Sequence, residues 1–117
     1  MRLWKISYVS IASAPDEIAE ADVREICAVA GPHNARSGIT GILTYHAGRF
    51  AQIIEGIEDD LRQLMERIAA DPRHHSLKIT MDRAVDARQF DEWSMAYRSP
   101  KQFIQDQIEN ISSTTTL

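Results

Sequence analysis

Alternation opens the chain. Over Leu3 to Ser10, Trp4, Ile6, Tyr8 and Ser10 share one side of an extended strand and Leu3, Lys5, Ser7 and Val9 the other, because strand side chains point alternately to opposite faces. Past Ser13-Ala14-Pro15-Asp16 the period changes. Ala19, Val23, Ile26, Cys27 and Ala30 form a helical stripe, with Pro15 at its start and acidic Asp16 and Glu17 at its positive end. Gly31-Pro32 predicts the end of that helix. A second strand follows over Gly38 to Tyr45, with Leu43 and Tyr45 opposite Ile42 and Thr44. A turn at His46-Ala47-Gly48 leads to a third strand, Arg49 to Glu55, ended by Gly56. Leu61, Leu64, Met65 and Ile68 are spaced for one face of a second helix, opened by Asp59 and Asp60 and stopped by Asp71-Pro72. Leu77, Ile79 and Met81 give a fourth strand. Trp93 to Tyr97 gives a fifth, with Trp93, Met95 and Tyr97 on one face. Pro100 starts a last helix whose apolar side is Phe103, Ile104, Ile108 and Ile111, and Ser112 to Leu117 reads as a disordered polar tail.

The order is β-α-β-β-α-β-β plus a terminal helix, an α+β chain. It predicts a ferredoxin-like sandwich with one mixed sheet and two helices on one face. Strands one and three are then neighbours at the sheet centre. Residues 1–99 form the domain, and 100–117 a short C-terminal helix and flexible tail. Leu3, Val9, Ile42 and Ile53 make the other sheet face partly apolar. Its cover is the last helix or another chain, which would make a homodimer or higher oligomer.

At 117 residues, 44% hydrophobic and 26% charged, this is one ordinary globular domain. The net charge of −4 argues against direct nucleic-acid binding, which needs a basic footprint. There is no apolar run long enough to span a membrane. The strand pattern starts at Leu3 without a basic-then-apolar leader, and Cys27 stands alone, so the expectation is a cytoplasmic protein with no cysteine metal cluster.

Candidate chemistry is sparse. Gly38 to Gly41 lacks the spacing and lysine of a phosphate loop. His33, His46, His74 and His75 show no metal-ligand spacing. Ser10 has no evident His/Asp partner, and Glu55 and Asp59 read as strand-end and helix-cap carboxylates. Arg67 and Asp71 read as a helical i,i+4 pair. What does not fit is Gln52. It lies between Phe50 and Ile54 on a face that must be buried, and each unpaired amide group there costs about 1–3 kcal/mol. Tyr8 falls on the same face. Two readings stand side by side: a Tyr–Gln hydrogen bond that fixes the core, or a flat polar ligand between the helices that meets both.

The ordered motifs Tyr8-Val9-Ser10, Asn34-Ala35-Arg36-Ser37-Gly38-Ile39-Thr40-Gly41, Gly48-Arg49-Phe50-Ala51-Gln52, Glu55-Gly56, Arg67-Ile68, Asp71-Pro72-Arg73-His74 and Trp93-Ser94-Met95 resemble the BLUF family of flavin-binding blue-light sensors. The resemblance runs from Leu3 to Tyr97. It implies FAD, with FMN or riboflavin as substitutes, held non-covalently between the two helices. Tyr8 would be the photochemical electron and proton donor and Gln52 its bridge to the flavin. Asn34 would bond one polar edge of the ring, and Arg67 and Asp71 the opposite edge. His74 and Arg73 would lie nearer the ring or ribityl chain, and Ile26 and Ile39 would pack on the ring faces. Light would move an electron from Tyr8, the Gln52 amide would rotate or tautomerise, and Trp93 and Met95 would pass the change outward through strand five to an effector protein or domain. The resemblance implies a sensor rather than an enzyme. A dark small-ligand-binding regulatory module on the same fold is the alternative. A small hydrolase is disfavoured because no nucleophile or acid–base pair stands out.

Overall fold

The computed structural model describes the backbone of residues 2–114 and the side chains through Gln107. Strands β1 (Leu3–Ala12), β2 (Thr40–His46), β3 (Arg49–Ile57), β4 (His74–Val85) and β5 (Ala96–Tyr97) form one sheet in the order β4-β1-β3-β2-β5. All neighbours are antiparallel except β2 and β5. The expected ferredoxin-like mixed sheet is thus present. Helices α1 (Asp16–Ser37) and α2 (Glu58–Ala70) cover one face, where Ala19, Val23, Leu61 and Leu64 meet Ile6 and Ile54. Burial of the valine, leucine and isoleucine side chains contributes about 1.5–3 kcal/mol each. Helix α3 (Pro100–Thr114) covers part of the other face, with Phe103 and Phe90 on Ile42 and Ile53. Among the described residues no helix is long and apolar enough to cross a membrane.

Local signals misplaced the bounds of four elements, α1, β3, β4 and strand five. Helix α1 does not stop at Gly31-Pro32 but runs through Pro32 to Ser37. An interior proline costs about 3 kcal/mol, so packing of the last turn, which buries Asn34, outweighs it. The stop is Gly38, in the left-handed region at φ 68°, where Gly38 and Ile39 N–H groups bond the Ala35 and Asn34 carbonyls. Strand β3 continues through Gly56 to Ile57. Strand β4 is far longer than its apolar core of Leu77 to Met81, because β1 pairs with it from Leu3↔Val85 to Ala12↔His74. Strand five is reduced to Ala96–Tyr97, so Trp93 and Met95 do not share a face: Trp93 stacks on Phe90 at the outer face, and Met95 joins the inner core.

The last helix also departs from its pattern. Phe103 is buried, but Ile104 is 56% exposed, and the side chains of Ile108 and Ile111 lie outside the described residues. The helix includes residues 112–114, where a disordered tail was expected, while 115–117 lie outside the described residues.

Candidate functional site

The β1–β3 register sets Tyr8 opposite Gln52. Both are 4% exposed, and the Tyr8 hydroxyl donates to Gln52 Oε1 at 2.5 Å. At the other end of the amide, Gln52 Nε2 lies 3.3 Å from Met95 Sδ. A thioether accepts weakly, so the two ends of Gln52 are held unequally. Burial pushes the Tyr8 phenol well above its ordinary pKa, and the Asp71 carboxylate adds to the shift. Tyr8 is therefore a neutral donor throughout the range in which proteins stay folded.

A cleft between α1, α2 and the sheet opens onto this pair. It is lined by Ile26 and Asn34 from α1, Tyr8 and Gln52 from the sheet, and Asp71, Arg73 and His74 beyond α2. His74 Nε2 donates to the Ile68 carbonyl at 2.5 Å, and its Nδ1 shares a hydrogen bond with Ser10 Oγ at 2.7 Å. Its ring meets Tyr8 and Phe50 edge-on, with centroids 6.1 and 6.2 Å apart. Arg73 grips Asp71 with its guanidinium, at 2.6 Å from Nη2 to Oδ2, and its own backbone N–H bonds Oδ1 at 2.9 Å. That grip holds the Asp71 carboxyl below the usual carboxylate range. Asn34 Nδ2 donates to the Ser94 carbonyl at 3.1 Å, while Asn34 Oδ1 is buried without a partner among the described residues.

Three expected contacts are elsewhere. Arg67 does not pair with Asp71. Asp71 caps α2 in an extended conformation (φ −70°, ψ 121°), which breaks the i,i+4 geometry, and exposed Arg67 meets His33 Nε2 at 2.8 Å. Ile39 belongs to the core rather than to the cleft lining. Trp93 packs on the outer face. Conversely, Ser10 has the histidine partner that its sequence context did not reveal, because 64 positions separate Ser10 from His74. Glu55 is neither strand end nor cap: it is 0% exposed and fully engaged by polar partners. Among the described residues, no cluster of His, Cys, Asp or Glu is suited to a metal.

The lining fits a flavin chemically. A flavin ring has apolar faces and polar edges, and the cleft offers apolar Ile26, Ala30 and Leu64 beside polar Asn34 and Gln52. The unpartnered Asn34 Oδ1 is an acceptor whose burial costs about 1–3 kcal/mol until a donor reaches it. The cleft is open to solvent on one side, and its deepest part, about 70 Å³, lies against Tyr8 and Gln52.

A family model described as sensors of blue light using FAD matches residues 3–96. The photoactivated adenylate cyclase subunit beta of Euglena gracilis is 32% identical over 93 residues, covering 80% of this chain and 11% of that protein. The chain thus spans about a tenth of the length of the photoactivated cyclase subunits it matches. The dark-state structure of BlrB, a BLUF protein, superposes with a TM-score of 0.79 at 32% identity, over 97% of this chain and 86% of that one. Klebsiella pneumoniae BlrP1, in a structure with FMN and cyclic diGMP, gives 0.76 at 29% identity, over 98% of this chain and 31% of that one. In fold, in the chemistry of its cleft and in sequence over residues 3–96, this chain belongs to the BLUF family, the sensors of blue light using FAD.

Proposed function

We propose that Tyr8 and Gln52 are the light-operated switch of this sensor. The observation that carries the reading is the unequally held amide: Oε1 on the Tyr8 hydroxyl at 2.5 Å, Nε2 on the Met95 sulfur at 3.3 Å. Bound flavin supplies the absorption of blue light and an oxidising excited state. Asn34 Oδ1 and the Gln52 amide would hold polar edges of the ring and Ile26 would pack on its face, while Asp71, Arg73 and His74 order the rim of the cleft. Buried Tyr8 holds its proton in the dark. Once oxidised, a phenol is strongly acidic, and the atom placed to receive its proton is Gln52 Oε1. The amide can then turn or tautomerise, because its two ends exchange donor and acceptor roles. Where the amide turns, Oε1 takes the place of Nε2 opposite Met95 Sδ, and Met95 loses its tie to Gln52.

The chain acts as a sensor without turnover of its own. The Ser10–His74 pair has no acid partner, since the other histidine nitrogen bonds a backbone carbonyl. The output goes to an effector protein or domain, as the name of the cyclase relative suggests, and free Cys27 suits a reducing, cytoplasmic setting. A second copy on the exposed part of the outer sheet face would make the homodimer. The test is direct. The full chain loaded with FAD should be yellow, and its flavin band should shift reversibly to the red under blue light. FMN and riboflavin should support the same shift. A protein that takes up flavin but shows no shift refutes the switch. One that takes up none, but binds another small ligand in the dark, supports the regulatory-module reading instead.

A further inference from the structure

Strand β3 serves two faces. Gln52 points to the inner face, and Glu55, three positions later, points to the outer one. There Glu55 accepts the backbone N–H groups of Gln89 at 2.7 Å and Phe90 at 2.8 Å, accepts from Thr40 Oγ1 at 2.9 Å, and faces Lys5 Nζ at 3.3 Å. Lys5 is its cross-strand partner and also donates to Gln89 Oε1 at 3.0 Å. From Phe90 the chain rounds the edge of β2. Gly41 N–H donates to the Trp93 carbonyl at 2.9 Å and Asn34 Nδ2 to the Ser94 carbonyl, after which Met95 reaches Gln52 on the inner face. Residues 89–95 are therefore a strap around the sheet edge, tied at one end to Glu55 and at the other to Gln52, both on β3.

A buried ion pair is by itself weak evidence of a role, since an apolar pair of similar volume often serves stability as well. An apolar pair cannot do what Glu55 does here. Residues 86–95 form no strand, so the N–H groups of Gln89 and Phe90 have no ladder partner, and one carboxylate takes both. That carboxylate holds residues 89 and 90 against β3, six and five positions before Met95, beside Arg88, whose guanidinium donates to Thr40 Oγ1 at 3.0 Å and to the Glu55 carbonyl at 3.2 Å.

We propose that Glu55 is a positioning residue for the switch: from behind the sheet it anchors residues 89 and 90 so that Met95 is presented to the Gln52 amide. The inference rests on the reading of Gln52 as the switch. Because Gln89 Nε2 also donates to the Asp106 carbonyl of α3 at 2.8 Å, the same anchor ties the strap to the terminal helix.

The test uses the full chain loaded with FAD, as wild type, Glu55→Gln, and Lys5→Met/Glu55→Gln, which also removes the lysine left facing an amide. A glutamine offers one acceptor oxygen where two N–H groups converge. In the wild type, Gln89 and Phe90 amides should exchange slowly in the dark; exchange at open-loop rates overturns the proposal without any variant. In both variants their exchange should rise and the Met95 methyl resonance should move. Recovery of the dark spectrum after illumination should change by about tenfold, corresponding to about 1.4 kcal/mol. With Met95→Ala as background, the Glu55 substitution should change recovery by less than about twofold, the limit of additivity for uncoupled sites. An equal change with and without Met95, or no change with Met95 present, overturns the proposal. A wild type with no red shift refutes the switch instead. The dark Met95 resonance then decides positioning, and an unmoved resonance in Glu55→Gln overturns it.

Discussion

The Tyr8–Gln52 bond lends itself to a double-mutant cycle that separates stability from signalling. Gln52→Leu is close in volume and suits its neighbours Phe50 and Ile54, so packing changes little. It leaves the Tyr8 hydroxyl, in a residue only 4% exposed, without its acceptor, at a cost of about 1–3 kcal/mol. Tyr8→Phe leaves Gln52 Oε1 without its donor, at a similar cost. When both partners become apolar neither orphan remains, and the pair of changes approaches neutrality. The expected interaction energy is therefore the sum of the two single costs, about 2–6 kcal/mol in favour of the double variant, well beyond the 0.3–0.5 kcal/mol scatter of independent sites. Urea unfolding of the flavin-free chain measures it at constant m-value. All three variants should bind flavin, and all three should lose the reversible red shift. Tyr8→Phe should also lengthen the fluorescence lifetime of the bound flavin. Additive stability changes would show that the 2.5 Å contact contributes no coupling. A normal red shift in Gln52→Leu would remove Gln52 from the switch.

Further outcomes follow from the cleft and the last helix. Asn34→Ala removes a buried acceptor that has no partner among the described residues, so flavin affinity should fall by about tenfold or more while flavin-free stability falls less; Arg67→Ala, on an exposed side chain bonded to His33, should leave affinity unchanged. Titration calorimetry separates the two, and an affinity loss for Arg67→Ala matching that of Asn34→Ala would restore Arg67 to the site. Asp71 is held below its ordinary pKa by Arg73, so its ionised form stabilises the fold at pH above about 4, the unfolded value. That contribution is lost as pH falls through the lower folded value. The stability gap between wild type and Asp71→Asn should be full at neutral pH and shrink below about pH 4; a gap independent of pH would show that the ion pair is not its source. Deleting residues 100–117 bares Ile42 and Ile53 on the outer face, so the colour change should persist while light scattering reports self-association. A monomeric truncated chain would show that Phe103 covers nothing that needs cover.

Periodicity alone carried much of this protein. The alternation of β1 and β3 placed Tyr8 and Gln52 on one buried face, and the β-α-β-β-α-β order made their strands neighbours, because face and handedness are local properties of an L-amino-acid chain. The i, i+3, i+4 stripe of α2 and its stop at Asp71-Pro72 are local for the same reason. What failed were readings that weigh a local signal against distant packing. Gly31-Pro32 is a stop signal by propensity, but the burial of Asn34 carries α1 past it and so puts the Asn34 side chain at the cleft. Arg67 and Asp71 have helical spacing, yet the helix ends between them, and Asp71 turns to Arg73. Trp93 and Met95 alternate in sequence, yet no strand forms there, and the strap delivers them to opposite faces. Ser10 with His74 and Glu55 with Gln89 are joined across 64 and 34 positions. Such pairs leave no periodic trace, because a hydrogen bond between distant residues depends on where the whole sheet brings them and not on spacing along the chain. The sequence by itself determined the faces and the pairing of Tyr8 with Gln52; the tertiary structure decided which polar groups surround that pair, because only the closed sheet sets their distances.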